Sequence, residues 1–166
     1  MILTNKELES RVDTSDEWIT ERTGIKERRV SSDDETSLDM AYQASIDAIE
    51  KSDIKKEEIG AIFLATCTPE RKFPSTAVLL QNRLNIKNAF SVDLNAACTG
   101  FIYALDIAKK YVESNQVKYA LVVGTEKITS LLDWTDRNTC VLFGDGAGAM
   151  IVGGSDTPGI LSSTIG

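Results

Sequence analysis

Short apolar runs that alternate with amphipathic helical stripes are the feature that most constrains the fold of this 166-residue chain. The runs Gly60–Cys67 (GAIFLATC) and Tyr119–Gly124 (YALVVG) are typical of strands covered on both faces of a parallel sheet. Between the runs lie stretches whose apolar residues recur at helical spacing. This alternation predicts an α/β fold, with a mostly parallel sheet and helices on its faces.

The predicted elements follow the order helix, strand, helix, strand, helix, strand and a further strand. Helices are predicted over Ser37–Lys51, Ser75–Leu84 and Phe101–Val112, and further strands over Ala89–Asp93 and Ala147–Val152. A shorter helix is predicted within Asp13–Gly24, capped by Thr14 or Ser15 and ended by Gly24. The segment Gly159–Gly166 (GILSSTIG) resembles the start of a strand without a partner element. At this length one domain is the default expectation.

The chain contains no histidine, which excludes several kinds of catalytic and metal site. Histidine is the commonest general base near neutral pH and the commonest metal ligand. A Ser-His-Asp triad, a Cys-His pair and a histidine-built zinc site therefore cannot be made from these residues. The cysteines are not spaced as a metal-binding knuckle either, so we expect no metal and no cofactor.

Charge and cysteine content predict where the protein works. With 18 basic and 25 acidic residues the net charge is -7, which argues against a nucleic-acid partner because phosphate binding needs clustered Lys and Arg. No apolar run is long enough for a membrane span, and no secretory signal pattern is present. Three widely spaced cysteines (Cys67, Cys98 and Cys140) favour reduced thiols. We therefore expect a cytoplasmic protein with neither nucleic-acid nor membrane partners.

Cys98 is the strongest candidate for chemistry, because it lies in NAACTGF between a predicted strand and a predicted helix. Its small neighbours permit a sharp strand-to-helix turn and close approach of a substrate; they are Ala96, Ala97, Thr99 and Gly100. A thiol at a helix N-terminus feels the positive end of the dipole, which favours the thiolate nucleophile. The alternative is a small buried hydrophobic residue, the usual role of an unpaired cysteine.

A second candidate site contains Trp18 and Arg22, which share one face of the predicted helix because they are four residues apart. An indole beside a guanidinium suits a flat heteroaromatic ring with phosphates, as in a nucleotide. The simpler alternative is a cation–π pair at the edge of the core.

The glycine-rich stretch and the two remaining cysteines are expected to have structural roles. The stretch Phe143–Ala149 (FGDGAGA) lacks the Lys-Ser/Thr of a phosphate loop, and Asp145 would repel phosphate, so we expect close backbone packing before a buried strand. Cys67 ends a strand and Cys140 sits among apolar residues, and for both we prefer a structural role.

Three motifs together, DTSDEWITERTGIKERR, DLNAACTGFIYAL and FGDGAGA, resemble those of the β-ketoacyl-acyl-carrier-protein synthase III family, which begins bacterial fatty acid synthesis. The resemblance runs over nearly the whole chain but covers only the N-terminal half of such an enzyme. It implies a thiolase-like half, with a mixed, mostly parallel sheet flanked by helices. The first strand and the second half of the family fold would be absent, so residues 1–166 would be an N-terminal domain truncated at both ends.

The resemblance also implies an activity. Cys98 matches the family's acyl-accepting cysteine, whose thiolate would attack acetyl-CoA or another short acyl-CoA. Malonyl-acyl carrier protein would then lose carbon dioxide, and its enolate would take up the acyl group. The residues implied to bind CoA are Trp18 and Arg137, which would sandwich the adenine, with Thr14 and Arg22 near the CoA head. Phe73 matches the residue that reaches across a homodimer to shape the neighbouring acyl pocket.

The resemblance transfers an acylation site but not a complete condensing site. The family's catalytic His and Asn lie in its second half, and this chain has no histidine to replace them. Carrier protein is acidic, so a chain of net charge -7 should bind it weakly. The leading hypothesis is therefore the N-terminal part of a synthase III that is inactive in condensation by itself. The alternatives are a non-catalytic dimerising partner, or a related thiolase-fold enzyme that condenses CoA substrates.

Overall fold

A computed structural model describes residues 1–165, which pack as two compact units. The smaller unit combines Met1–Thr36 with Glu126–Gly146, and the larger unit combines Ser37–Thr125 with the chain from Ala147 onward. Within the described range, no helix has the length and apolar character needed to cross a bilayer.

The strands are β1 (Ile2–Thr4), β2 (Glu27–Arg29), β3 (Ile59–Ala65), β4 (Phe90–Leu94), β5 (Tyr119–Lys127) and β6 (Asp145–Gly153). The helices are α1 (Asn5–Leu8), α2 (Asp16–Thr23), α3 (Ser37–Glu50), α4 (Thr76–Leu84) and α5 (Gly100–Glu113). Short 3-10 turns occupy Lys56–Glu58, Ala97–Thr99 and Ile128–Ser130. All the predicted helices are confirmed, including the short α2. Ser15 caps its first turn, because the backbone N–H of Trp18 donates to Ser15 Oγ at 3.0 Å.

The larger unit is built on a four-stranded sheet in the order β4-β3-β5-β6. Strand β3 pairs in parallel with both neighbours, so that Phe63 lies opposite Val92 on one side and Val122 on the other. These four strands are the four expected from the apolar runs. The predicted mixed, mostly parallel sheet flanked by helices is therefore confirmed.

Alternate residues of β3 face two different helical layers, which is why this strand contains no polar residue. Ile62 and Leu64 pack in the cluster that includes helices α3 and α4. Ala61 and Phe63 pack in the cluster that includes Ala104 of α5. The resulting three-layer arrangement places α5 on one face of the sheet and α3 and α4 on the other.

Two expectations about the end of the chain are wrong. Strand β6 lies at an edge of the sheet and is largely exposed, including Ala147 and Met150, so it is not the buried strand that its apolar composition suggested. The sequence predicts the start of a strand at Gly159–Gly166, but residues 159–165 form no strand. Gly166 lies outside the described residues. Over the described range that segment has no paired partner, and an unpaired strand leaves its backbone donors and acceptors unsatisfied.

The smaller unit contains an antiparallel ribbon of β1 and β2, which the sequence did not suggest because each strand has only three residues. Its apolar core consists of Leu3, Leu8, Ile19, Cys140 and Val141. The buried guanidinium of Arg28 donates to the carbonyl oxygens of Leu3 and Val141 at 3.1 and 3.0 Å and to Asn5 Oδ1 at 2.8 Å. Burial lowers the pKa of Arg28, and these neutral acceptors hold its charge in place.

The glycine-rich stretch packs closely against this ribbon. A Cβ added to Gly144 would lie 2.8 Å from the Arg29 carbonyl oxygen and 2.9 Å from Arg28 Cβ, so only glycine fits without movement of the ribbon. The expected close backbone packing is therefore confirmed.

Asp145 is the buried carboxylate that joins three segments of the smaller unit. Its oxygens accept from the Thr129 N–H and hydroxyl at 2.9 and 2.6 Å, and from the Ser31 N–H and hydroxyl at 2.8 Å each. Burial alone would raise the pKa of Asp145, but these four hydrogen bonds outweigh it and the pKa lies below its ordinary value.

We predict that Asp145→Asn lowers the free energy of unfolding by about 2–3 kcal/mol at pH 7, because an amide cannot accept all four hydrogen bonds. The folded pKa is depressed, so the stabilisation by Asp145 is complete above the unfolded pKa and is lost as the pH falls through the folded value. The difference in the free energy of unfolding between wild type and variant should therefore be full above about pH 5 and should shrink as the pH falls below about pH 4, as measured by urea unfolding.

Asp47→Asn is the matched control, since Asp47 is an exposed carboxylate whose nearest cation, Lys51, is 3.8 Å away. It should change the free energy of unfolding by less than about 0.5 kcal/mol. If the loss of unfolding free energy in Asp145→Asn stayed constant with pH, the stabilising role of the Asp145 charge would be contradicted.

Candidate active site

Cys98 lies in a strained turn between β4 and α5. The turn closes when the Thr99 N–H and hydroxyl donate to the Ala96 carbonyl oxygen at 3.2 and 2.7 Å. Ala97 has a φ of 47°, in the left-handed region that residues other than glycine rarely occupy. Strain of this kind is typical of a turn that presents a nucleophile. The Cys98 side chain is exposed, so the alternative of a small buried hydrophobic residue is wrong.

Small residues bring the first turn of α5 directly onto the sheet. A Cβ added to Gly100 would lie 3.1 Å from the Ala65 Cβ of β3, and one added to Gly124 of β5 would lie 3.1 Å from the Phe101 ring. Larger side chains at either position would push the helix away from the strand ends. The small residues of NAACTGF therefore fix where the thiol sits as well as allowing the turn.

A carboxylate holds the end of β4 against helix α4. The Asp93 oxygens accept from the Thr76 and Ala77 N–H groups at 2.8 and 2.6 Å, while Ser75 caps the same helix through the Val78 N–H. Three of the free N–H groups at this helix end are thereby satisfied. Asp93 thus anchors the strand from which the turn around Cys98 departs.

Cys67 lies beside Asn95, three residues before Cys98, a proximity that the sequence analysis did not predict. It is half-buried just beyond β3, and its thiol donates to Asn95 Oδ1 at 3.2 Å. The neighbouring Thr66 N–H donates to the Leu94 carbonyl oxygen at 3.1 Å, which continues the β3–β4 pairing past the strand ends. The carboxyl ends of neighbouring parallel strands meet at one edge of a sheet. The sequence does not specify which strands are neighbours, so the position of Cys67 beside the end of β4 could not be predicted.

The smaller unit brings together three of the residues expected to bind CoA. The guanidinium carbons of Arg22 and Arg137 lie 4.4 and 4.5 Å from the centre of the Trp18 ring. Arg137 also lies 3.6 Å from Asp13. A ring sandwiched between Trp18 and Arg137 would need roughly 7 Å between the indole and the guanidinium, so the expected adenine sandwich would require Arg137 to move aside.

The remaining expected residues have distinct environments. Thr14 Oγ1 is buried, and among the described residues it has no hydrogen-bond partner. Phe73, in the larger unit, is 88% exposed, which is unusual for an aromatic side chain. Cys140 is fully buried and burial raises the pKa of its thiol, so the structural role expected for it is confirmed. Across residues 1–165, no three His, Cys, Asp or Glu side chains form a group able to hold a metal ion.

Comparison with known proteins connects this geometry to one family. The sequence profile described as 3-oxoacyl-[acyl-carrier-protein (ACP)] synthase III matches residues 92–166. The β-ketoacyl-[acyl-carrier-protein] synthase III of Clostridium acetobutylicum is 53% identical over 165 residues, which cover 99% of this chain and 50% of that protein. The Aquifex aeolicus protein of the same description is 54% identical over 151 residues, covering 91% of this chain and 48% of its own length.

Solved structures show the same relationship. The crystal structure of 3-oxoacyl-[acyl-carrier-protein] synthase III from Aquifex aeolicus superposes with a TM-score of 0.90 at 53% identity, covering 94% of this chain and 50% of that one. The priming β-ketosynthase of the R1128 polyketide pathway superposes with a TM-score of 0.92 at 42% identity, covering 96% and 48%. The chain spans about half the length of the curated relatives it matches. Its sequence and its thiolase-like fold therefore make it a relative of the β-ketoacyl-acyl-carrier-protein synthases III, corresponding to their N-terminal half.

Proposed function

We propose that residues 1–166 form the N-terminal, acyl-accepting domain of a β-ketoacyl-acyl-carrier-protein synthase III that begins fatty acid biosynthesis. In this reaction Cys98 Sγ attacks the thioester carbonyl of acetyl-CoA or another short acyl-CoA, and the CoA thiolate leaves. The acyl group then passes to the enolate formed when malonyl-acyl carrier protein loses carbon dioxide. The observation that carries the proposal is the exposed Cys98 on a strained turn at the start of α5.

Cysteine suits this site because it needs less help from a base than serine does. A thiol is a few per cent ionised near neutral pH and is intrinsically nucleophilic, so acylation does not demand a histidine partner. The site faces the N-terminal end of a 14-residue helix, where backbone N–H groups and the helix dipole favour negative charge. The same end can stabilise the oxyanion that develops during attack on a thioester.

The group around Trp18 supports CoA as the acyl donor. An indole supplies a flat apolar face, and Arg22 and Arg137 supply two positive charges beside it. Such a combination suits an aromatic base carrying phosphates, because stacking and charge-assisted hydrogen bonds act on the two parts of one ligand. Thr14, with its buried and unpartnered hydroxyl, is the remaining polar group that we assign to the CoA head.

The exposed edge of β4 supports a homodimer. This strand is the other edge of the sheet, and its Phe90 and Val92 are 42% and 40% exposed. Phe73 and Val78, just before and within α4, add further exposed apolar surface. An exposed apolar edge strand invites pairing with another strand, and in a two-fold dimer the same edge of a second copy can supply it. In this arrangement Phe73 is the residue that we assign to the partner's acyl pocket.

The cysteines support a reducing location. The structure describes all three, and none of them is in a disulfide. Thiols of this kind persist in the cytoplasm, where acyl-CoA and acyl carrier protein are also the proposed partners.

Incubation with acetyl-CoA tests the proposal directly. We predict that the wild-type chain gains the mass of one acetyl group and that peptide mapping places it on Cys98. Cys98→Ser should not gain the label, whereas Cys140→Ser should gain it like wild type because Cys140 is buried away from solvent. Trp18→Ala should need about tenfold more acetyl-CoA for half-labelling, a loss of about 1.4 kcal/mol in CoA binding.

Trp134→Ala is the matched control for the CoA site, since Trp134 also stacks on an arginine, Arg11, in the same unit. It should leave the acetyl-CoA requirement unchanged as long as circular dichroism shows a folded chain. Label that survives Cys98→Ser, or a wild-type chain that takes up none, would refute the proposed acylation.

The dimer is tested by light scattering after size exclusion. We predict a dimer for wild type and a monomer for Val92→Lys, because a two-fold axis would bring the introduced charges of both copies together. Leu161→Lys places a lysine at another exposed apolar position, 80% exposed and outside β4, and this variant should remain dimeric. A monomeric wild type at micromolar concentration would contradict the assignment of this edge.

A further inference from the structure

We propose that Cys67 and Cys98 form a redox pair, in which Cys67 converts an oxidised Cys98 into a reversible disulfide. The inference rests on the proposed function in one respect only, that Cys98 is a reactive thiol. It assigns to Cys67 a protective and regulatory role that acyl transfer itself does not require.

The pairing of β3 with β4 brings the two segments together. Ala65 lies opposite Leu94 in a parallel register, and neighbouring strands are about 4.8 Å apart. The hydrogen bond from the Thr66 N–H to the Leu94 carbonyl oxygen carries this pairing one residue further. Cys67 therefore leaves the sheet beside Asn95 and Ala96.

The turn that contains Cys98 folds back over the same place. It begins at Ala96 and ends at Gly100, and the Gly100 Cβ position lies 3.1 Å from Ala65 Cβ and 4.0 Å from Ala96 Cβ. The Gly100 end of the turn is thus held against the end of β3, and Ala96 at the other end lies beside Gly100. Cys98 is two residues from each end, and the redox pair requires its Cα atom to lie about 4.4–6.8 Å from that of Cys67.

The Cys67 side chain is directed toward the β4 side of the pair. Its thiol donates to Asn95 Oδ1 at 3.2 Å, and Asn95 is three residues before Cys98. Cys98 is exposed and Cys67 is half-buried, so an oxidant in solution reaches Cys98 more easily. This is the arrangement expected of an exposed reactive thiol beside a resolving thiol.

The third cysteine does not fit this role. Cys140 is fully buried in the core of the smaller unit and burial raises the pKa of its thiol, so it is poorly accessible and poorly nucleophilic. It serves as an internal reference for the two thiols at the sheet edge.

The chemistry balances with a peroxide as the oxidant. The Cys98 thiolate attacks one peroxide oxygen, the S–O bond forms as the O–O bond breaks, and water leaves after taking up a proton. The Cys67 sulfur then attacks the sulfenic sulfur, forming the S–S bond and releasing a second water that carries the Cys67 proton. Two thiols are oxidised to one disulfide and one hydrogen peroxide is reduced to two waters. A dithiol reductant reduces the disulfide back to two thiols.

Oxidation of the purified chain with one equivalent of hydrogen peroxide tests the inference. We predict a loss of two hydrogen atoms in the intact mass, a Cys67–Cys98 linked peptide in a non-reducing digest, and full recovery of thiols with dithiothreitol. Dilute protein keeps disulfides between molecules to a minimum. A Cys98–Cys140 or intermolecular disulfide as the main product, or irreversible sulfinic and sulfonic acid on Cys98 with Cys67 still reduced, would overturn the pairing.

Cys67→Ser is the matched variant, because a hydroxyl keeps the donor to Asn95 while removing the resolving sulfur. It should lose reversible recovery and accumulate irreversible oxidation on Cys98, whereas Cys140→Ser should behave like wild type. Circular dichroism of each variant should show an intact fold. Equal thiol recovery in Cys67→Ser and wild type would also overturn the role of Cys67.

Acetyl-CoA labelling of the reduced chain separates this inference from the proposed function. Labelling of Cys98 without a peroxide-induced disulfide would refute the redox pair alone. A Cys67–Cys98 disulfide without labelling would refute acyl transfer and leave the redox pair standing. The oxidised wild type should lose its labelling and regain it after reduction.

Discussion

The close approach of α5 to the ends of β3 and β5 is the contact on which the candidate site depends. With hydrogen atoms in place of side chains at Gly100 and Gly124, the first turn of the helix rests on Ala65 and carries Phe101 against β5. The chain must then leave β4 and enter α5 within a few residues, which forces the positive φ of Ala97 and presents Cys98 to solvent. Backbone strain of this kind costs about 1–3 kcal/mol, and the buried layers on both sides of the sheet offset it.

The two units carry different candidate residues. The larger unit carries Cys67, Cys98 and the exposed edge strand, and the smaller unit carries Trp18 with the two guanidinium groups beside it. The smaller unit has little sheet and is organised by polar groups, with the Arg28 guanidinium and the Asp145 carboxylate each satisfying several backbone groups. Buried charges with several hydrogen bonds favour one arrangement strongly, because any displacement leaves a buried group unpaired.

Much of the sheet unit could be predicted from the sequence because its signals are local. Strands buried on both faces have no polar positions, and the turn around Cys98 is marked by small residues. The ribbon of β1 and β2 could not be predicted, since three residues show no period. The exposure of β6 and the position of Cys67 beside β4 depend on strand order, which is a property of the assembled sheet. Arg137 was identified as a candidate CoA-binding residue from the motif resemblance. It lies more than 100 residues from Trp18 in the sequence, and no local sequence pattern marks it as a partner of Trp18.

We propose that this chain accepts an acyl group on Cys98 but does not decarboxylate malonyl-acyl carrier protein, because it holds Cys98 but no histidine. The most direct test is to supply acetyl-CoA and malonyl-acyl carrier protein together and measure the acyl-enzyme and the β-ketoacyl product in the same sample. We expect acylated Cys98 with no β-ketoacyl product above the enzyme-free background. Sustained formation of β-ketoacyl product by the purified 166-residue chain would contradict it.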